Sequence, residues 1–219
     1  MKLIKRWLGY ITLSFLGISI TLVALLNLLS PPTTAFMLYQ HLKDLSENRP
    51  YQAIEQYWVN HKQISPYAFK AVIASEDQLF YQHQGFDTQA IVQAYQRYSD
   101  GGRLRGASTI SQQVAKNLFL LPHKNLLRKL LEIWFTVLLE VFCSKPRILE
   151  LYLNIAEFGD HVFGIEAASR RYFGISARQL TPQQAALLAA TLPNPLRFRA
   201  DHPSDYLYRR QAWILQQMH

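Results

Sequence analysis

Residues 8–29, LGYITLSFLGISITLVALLNLL, contain no charged residue, and the preceding MKLIKRW carries Lys2, Lys5 and Arg6. A membrane-spanning helix needs roughly 20 apolar residues, whereas the apolar part of a signal peptide runs to roughly 7–15. The stretch therefore reads as one transmembrane helix, with no small-x-small cleavage signal behind it. SPP at residues 30–32 closes it, because proline removes a donor and clashes in a helix interior. The cations lie on the N-terminal side, so residues 1–7 are expected as a cytoplasmic stub and everything after Pro32 outside the cytoplasmic membrane. Residues 30–63 read as a linker and membrane-proximal segment. Residues 64–219 are long enough for one domain with a core of its own.

The formal net charge is +8. Beside a membrane anchor, that balance points to anionic headgroups or a phosphorylated lipid. No motif combining aromatic and basic residues accompanies the charge, so no nucleic-acid partner is expected. Cys143 is the only cysteine, which excludes an internal disulfide. Neither HExxH nor a Cys/His cluster occurs, and the seven histidines are scattered, each reading as a surface or core residue.

Helical spacing dominates and strand-like alternation is hard to find. Helices are expected over residues 36–46, 66–79, 108–118, 125–142, 145–153, 163–172, 182–191 and 204–218. Ser65 with Pro66, and Thr181 with Pro182 and Gln184, are strong start signals. RYSDGGRLRG, residues 97–106, reads as a mobile basic loop.

Two stretches carry candidate chemistry. In NLLRKLLEIWFTVLLEVF the polar residues Glu132, Thr136 and Glu140 recur every fourth position, with Arg128 one step earlier. They make one polar stripe on an otherwise apolar rod that is expected to be buried. Arg128 and Glu132 are either a structural ion pair or the wall of a cleft for an anionic substrate. In AVIASEDQLFYQHQGFD, Glu76, Phe80 and His83 would share one helical face, and Glu76 ends an apolar run as a general base often does. The alternative for Glu76 and Asp77 is a solvated helix end.

SEDQLFYQHQGFD, GASTISQQVAKN, RKLLE, SKPRILELYLNIAEFG, GIEAASRRYFG and LTPQQAALLAATLPNP occur in this order. Together they resemble the successive motifs of the peptidoglycan glycosyltransferases, glycosyltransferase family 51, over residues 64 to 218. GASTISQQ and EFGDHVFG are similar to the monofunctional biosynthetic subgroup. Ser-x-x-Lys does not occur around Lys116 and Lys-Thr-Gly is absent, so no transpeptidase is expected.

The resemblance implies a mainly α, lysozyme-like lobed helical domain hung from one N-terminal transmembrane helix in the inner membrane, with the catalytic domain in the periplasm. It implies polymerisation of glycan strands. A strand linked to undecaprenyl pyrophosphate is transferred onto the GlcNAc 4-hydroxyl of lipid II, with inversion. Glu76 matches the family's catalytic base, and Glu132 its second glutamate, with a role in orienting substrate, holding the cations or assisting at the phosphate. Lys116 and Arg128 match positions for the pyrophosphate, where a planar guanidinium suits phosphate oxygens. Asp77, Phe80 and His83 match the first motif, with Phe80 a shaping or core residue. Thr109 and Gln113 match donor-side positions, and on a helix Gln112 and Lys116, like Thr109 and Gln113, would be four apart. Ser108 sits near the helix start, where backbone N–H groups attract anions, and Arg105 adds charge.

A divalent ion, Mg or Mn, is the one cofactor left open. Membrane, lipid II and cell-wall or division proteins are the expected partners, and moenomycin the expected inhibitor. A lytic transglycosylase or a silent scaffold is the alternative. The cationic set and the retained Glu76, Lys116 and Glu132 speak against them.

Overall fold

In a computed structural model the described residues are 2–101, 108–123 and 125–218. They form helices α1 (Lys2–Leu25), α2 (Ala35–Ser46), α3 (Pro66–Glu76), α4 (Thr88–Ser99), α5 (Ile110–Phe119), α6 (Leu126–Phe142), α7 (Lys145–Ile155), α8 (Ile165–Phe173), α9 (Pro182–Thr191) and α10 (Asp205–Gln217). Three short strands complete the set: β1 (Glu55–Gln56), β2 (Glu157–Gly159) and β3 (Val162–Phe163). The chain is thus mainly α, with one apolar N-terminal helix whose length and composition suit a membrane crossing.

Local chemistry explains most helix starts. Thr34, Ser65, Asp87, Thr109, Asn125, Ser144, Thr181 and Ser204 each accept a backbone N–H from the first turn. Each such cap stabilises by about 1 kcal/mol. Helix α8 is different, because Gly164 stands in the cap position at φ 83° with no side-chain cap. Its N–H donates to Ala156 O at 2.8 Å, and a Cβ there would lie 2.7 Å from the Asn154 carbonyl oxygen. Gly164→Ala is therefore expected to cost about 2–3 kcal/mol, lowering Tm by several degrees in thermal unfolding of the detergent-solubilised protein. An unchanged Tm would refute the close approach.

The core centres on α7, in which every residue from Ile148 to Ile155 is buried. Helix α5 packs on α6 and α7, while α9 lies between α3 and α10. Asn154 fastens the membrane-proximal segment to this core. Its Oδ1 accepts from Val59 N at 2.9 Å and its Nδ2 donates to Val59 O at 2.9 Å. Strand β3 lies between β1 (parallel) and β2 (antiparallel). Strands of two or three residues are too short to show period-two alternation, which is why the sequence did not announce them.

Several boundaries differ from expectation, each for a local reason. Helix α1 takes in the basic residues from Lys2 and ends at Leu25, before the prolines, with one looser turn in which Leu29 N donates to Leu25 O at 2.8 Å. Helix α3 stops at Glu76 instead of residue 79, because Asp77 leaves helical geometry (φ −161°, ψ 76°). Glu76, Phe80 and His83 therefore do not share a helical face. Helix α4 was not expected. Its apolar residues Ile91, Val92 and Tyr95 are exposed, so no buried stripe marks it.

Helix α6 is not buried all round. Glu132, Phe135, Thr136, Leu138 and Leu139 face inward, whereas Leu126, Leu127, Leu130, Ile133, Val137 and Val141 form an exposed apolar face. The anchor packs beside it: Trp134 Nε1 donates to Ser19 Oγ at 3.1 Å, and Phe15 and Trp134 have ring centroids 6.4 Å apart. Arg147 donates to the carbonyls of Leu26 and Leu29, both at 2.8 Å, tying the end of the anchor to α7.

Candidate active site

Glu76 ends α3 with its carboxylate held from two sides. Its Oε2 accepts from Gln113 Nε2 at 3.0 Å, and its Oε1 from Ser75 Oγ at 3.0 Å. Arg210, from α10, donates to Ser75 Oγ at 3.1 Å and lies 3.7 Å from Glu76 Oε1. Gln113 is itself oriented by Tyr152 OH, which donates to Oε1 at 3.4 Å. Burial, then the charges of Glu76 and Asp77, push the Tyr152 hydroxyl well above its usual range, so it stays a neutral donor.

Asp77 and its neighbours build the wall behind Glu76. Asp77 Oδ2 accepts Ile110 N at 3.0 Å at the start of α5, and Oδ1 meets His83 Nε2 at 2.9 Å. Gly85 N donates to His83 Nδ1 at 3.1 Å, which assigns the neutral imidazole proton to Nε2. Thr109 Oγ1 donates to Gly85 O at 2.6 Å and accepts from Gln112 N, while Gln112 Oε1 accepts Thr109 N.

Gln112 and Lys116 are four apart within α5, and Gln113 N donates to Thr109 O at 3.0 Å, as the helical spacing read from the sequence requires. Thr109 is the N-cap of α5, and its side chain and that of Gln112 form a reciprocal capping box. Phe80 is fully buried, under the Lys145 ammonium 4.4 Å from its ring centroid, and so shapes the site without touching it. Ser108 is exposed and lines the cleft with Glu76. Arg105, with Gly106 and Ala107, lies outside the described residues.

The polar stripe of α6 points inward. Glu132 is only 3% exposed and receives two cations, Arg128 NH1 on Oε2 at 2.6 Å and Lys129 Nζ on Oε1 at 2.5 Å. Arg128 Nε is buried with no acceptor among the described residues. Glu140, further along, is occupied by Lys145 and Ser111. Lys129 stands three residues before Glu132, a helical spacing that brings opposite charges together and is visible in the sequence. No such signal existed for Arg210, Tyr152 or Glu157.

Lys116 faces this group from α5. Burial holds its ammonium below the usual lysine range, partly offset by Glu132 and Glu76 and reinforced by Arg128 and Lys129. With Gln113, Tyr152 and Glu157 it lines a cleft of about 200 Å³. Glu76 lines a second, of about 230 Å³, with Ser75, Asp77, Ser108 and Trp213. Gln113 joins the two, lining the Lys116 cleft while its amide donates to Glu76. A carboxylate that can take a proton thus stands beside a cationic recess that can take an anionic leaving group.

A family profile described as Transglycosylase matches residues 43–219. The chain belongs to that family. It is 45% identical over 218 residues to a biosynthetic peptidoglycan transglycosylase of Shewanella oneidensis, covering all of this chain and 92% of that protein. A Pseudomonas fluorescens protein of the same name is 47% identical over 218 residues, covering all of this chain and 90% of the relative. The namesake from Klebsiella oxytoca is 52% identical over 219 residues, covering 99% and 90%. As a transglycosylase, the chain is an enzyme, and the resemblance read from the motifs is confirmed.

Glu157 gives this transglycosylase a pH-dependent strain. Burial, then Asp160, raise its carboxyl from 4.5 to about 7, against Lys43 and His161. The folded state holds this proton more tightly than the unfolded chain, so the contribution to stability is full below pH 4.5. It is lost as pH rises towards about 7. Glu157→Gln is expected to raise Tm at pH 8 by a few degrees, with the gain fading near pH 4.5, as melting curves at both pH values would show. An equal gain at both would remove ionisation as the cause.

Proposed function

We propose that this transglycosylase polymerises peptidoglycan glycan strands at the membrane surface. The donor is a strand on undecaprenyl pyrophosphate, and the acceptor is the GlcNAc 4-hydroxyl of lipid II. The observation that carries the reading is the Glu76 carboxylate, held by Gln113, whose other side faces the cleft lined by Lys116. The acceptor oxygen attacks the anomeric carbon of the donor as Glu76 takes the hydroxyl proton. The bond from that carbon to the pyrophosphate oxygen breaks, and the leaving anion is received by Lys116 and Arg128. Inversion follows from a single displacement.

Glu132 holds the cations. Both its oxygens are engaged by Arg128 and Lys129, so this carboxylate does not fit a divalent ion, and no step is assigned to one. Asp77, His83, Thr109 and Gln112 position Glu76 and α5, and Phe80 supports them from the core. Ser108 contacts sugar at the rim.

The anchor α1 crosses the inner membrane with its basic end in the cytoplasm, which puts the enzyme domain in the periplasm. The exposed face of α6, next to α1, rests on the bilayer and brings the site to the height of a lipid-linked substrate. The test is fluorescent lipid II with purified full-length protein in detergent. Polymer that a muramidase digests is the expected product. Cleavage of preformed glycan without polymer would mark a lytic enzyme, and inertness towards both would mark a scaffold.

A further inference from the structure

Helix α2 and the turn between β2 and β3 meet at three side chains far apart in sequence. His41 and Asp44 are one helical turn apart on α2, so they share a face. His161 sits in the hairpin turn with φ 59°, the left-handed region that histidine visits more readily than most residues. Asp44 is 4% and His161 2% exposed, and one potential ligand atom from each of the three residues lies within 4.8 Å of the others.

The hydrogen bonds around His161 leave a specific deficit. Its Nδ1 is 3.0 Å from Asp160 Oδ1, which also accepts from Gln40 Nε2 at 3.0 Å. With the Nδ1 proton given to Asp160, a neutral imidazole presents its Nε2 lone pair to Asp44 Oδ2, 2.6 Å away. A lone pair facing a carboxylate oxygen requires a cation, either a proton at the present 2.6 Å or a metal ion, for which the pair opens to about 3 Å. A proton would satisfy Oδ2 alone. Asp44 Oδ1 is buried and still without a partner among the described residues, in a place where an unmet carboxylate oxygen is costly.

We propose that His41, Asp44 and His161 bind one divalent transition-metal ion of the zinc class, clasping α2 to the β2–β3 hairpin. Two imidazoles and a carboxylate are a donor set that suits zinc, with a fourth position left for water. Such an ion satisfies the orphaned Asp44 Oδ1 and adds His41, which a proton cannot do. The Asp160 contact to Nδ1 is the outer-shell carboxylate that commonly orients a metal-binding histidine. His41 is half-buried and stacked on Tyr51, with ring centroids 5.3 Å apart, so it can move inward by about 1 Å to reach the ~2 Å zinc–nitrogen distance. The ion would also fix two walls of the Lys116 cleft, since Phe36 belongs to α2 and Glu157 to β2.

The test uses full-length protein in detergent, stripped with a chelator, loaded with zinc chloride and desalted. Metal content and melting temperature are then read, without reference to enzyme activity. About one zinc per chain and a Tm rise of a few degrees are expected. His41→Gln leaves the Asp44–His161 pair intact, so it should fold normally, yet bind zinc at least ~10-fold more weakly and lose the Tm rise. His202→Gln, at an exposed histidine, should keep both. Zinc well below one equivalent in the wild type, or equal zinc in His41→Gln, would overturn the site and leave a protonated ion pair in its place.

Discussion

Replacing Glu76 by glutamine is expected to remove polymerisation and leave the fold standing. General-base catalysis contributes about 10²–10⁴-fold, and an amide in the same place cannot take the acceptor proton. The loss should appear almost wholly in kcat. Glutamine keeps the size of Glu76, and its carbonyl can still accept from Gln113. Its new N–H₂ can donate to Ser75 Oγ, whose own proton then turns to Ala189 O, already 3.3 Å away. Arg210 loses only a 3.7 Å partner at a partly exposed position. The variant should therefore melt close to the wild type while making no polymer from fluorescent lipid II. A rate within about tenfold of the wild type would remove Glu76 as the base, since that is less than the smallest contribution such a group makes.

What could be read in the chain beforehand divides along a physical line. Helix starts were legible because a cap is a local event: Ser65 before Pro66 and Thr181 three residues before Gln184 announce themselves within one turn. The end of α3 was not. The backbone leaves helical geometry at Asp77, whose carboxylate is drawn to Ile110 N and His83, and the partner at Ile110 lies 33 residues on. The inward stripe of α6 followed from spacing. Its exposed opposite face did not, because an apolar residue looks the same in a core and against a bilayer.

The site shows the same division. Glu76 lines one cleft, Gln113 and Lys116 line the other, and the Arg128–Glu132 pair acts on Lys116 through its charges. Thr109 and Gln112 were read as substrate groups because hydroxyls and amides in a polar motif suggest a sugar. In the fold both also form the capping box that fixes the first turn of α5, and Thr109 still lines the Glu76 cleft. Tyr152, through Gln113, and Arg210 approach Glu76 from α7 and α10, far along the chain, and no periodicity within one helix could report that. The same holds for His41 and His161, whose histidines look scattered along the chain and stand 6.2 Å apart between ring centroids in the fold.

Lys116 is where the electrostatics makes its second large demand. Three cations, Lys116, Arg128 and Lys129, act on one region with the carboxylates Glu132 and Glu76. Glu132 is already shared by Arg128 and Lys129, so the charge least committed to a partner is that of Lys116. Its burial holds the ammonium below the usual lysine range, a cost that the proposed anionic leaving group would offset. Lys116→Ala is expected to lower kcat/KM by about 10²–10³-fold, as for the loss of one preorganised stabiliser of developing charge, and to weaken donor binding as well. Lys116→Arg supplies a cation that does not titrate in the working range. It should keep part of the activity and move the alkaline fall in rate to higher pH, since in the wild type that fall is expected to follow loss of the Lys116 proton, which burial holds below the usual lysine range. Rates against donor concentration and pH for the three proteins would decide it. An unchanged donor dependence in Lys116→Ala, with the same alkaline limb in Lys116→Arg, would mean that the pyrophosphate is received by Arg128 and Lys129 alone.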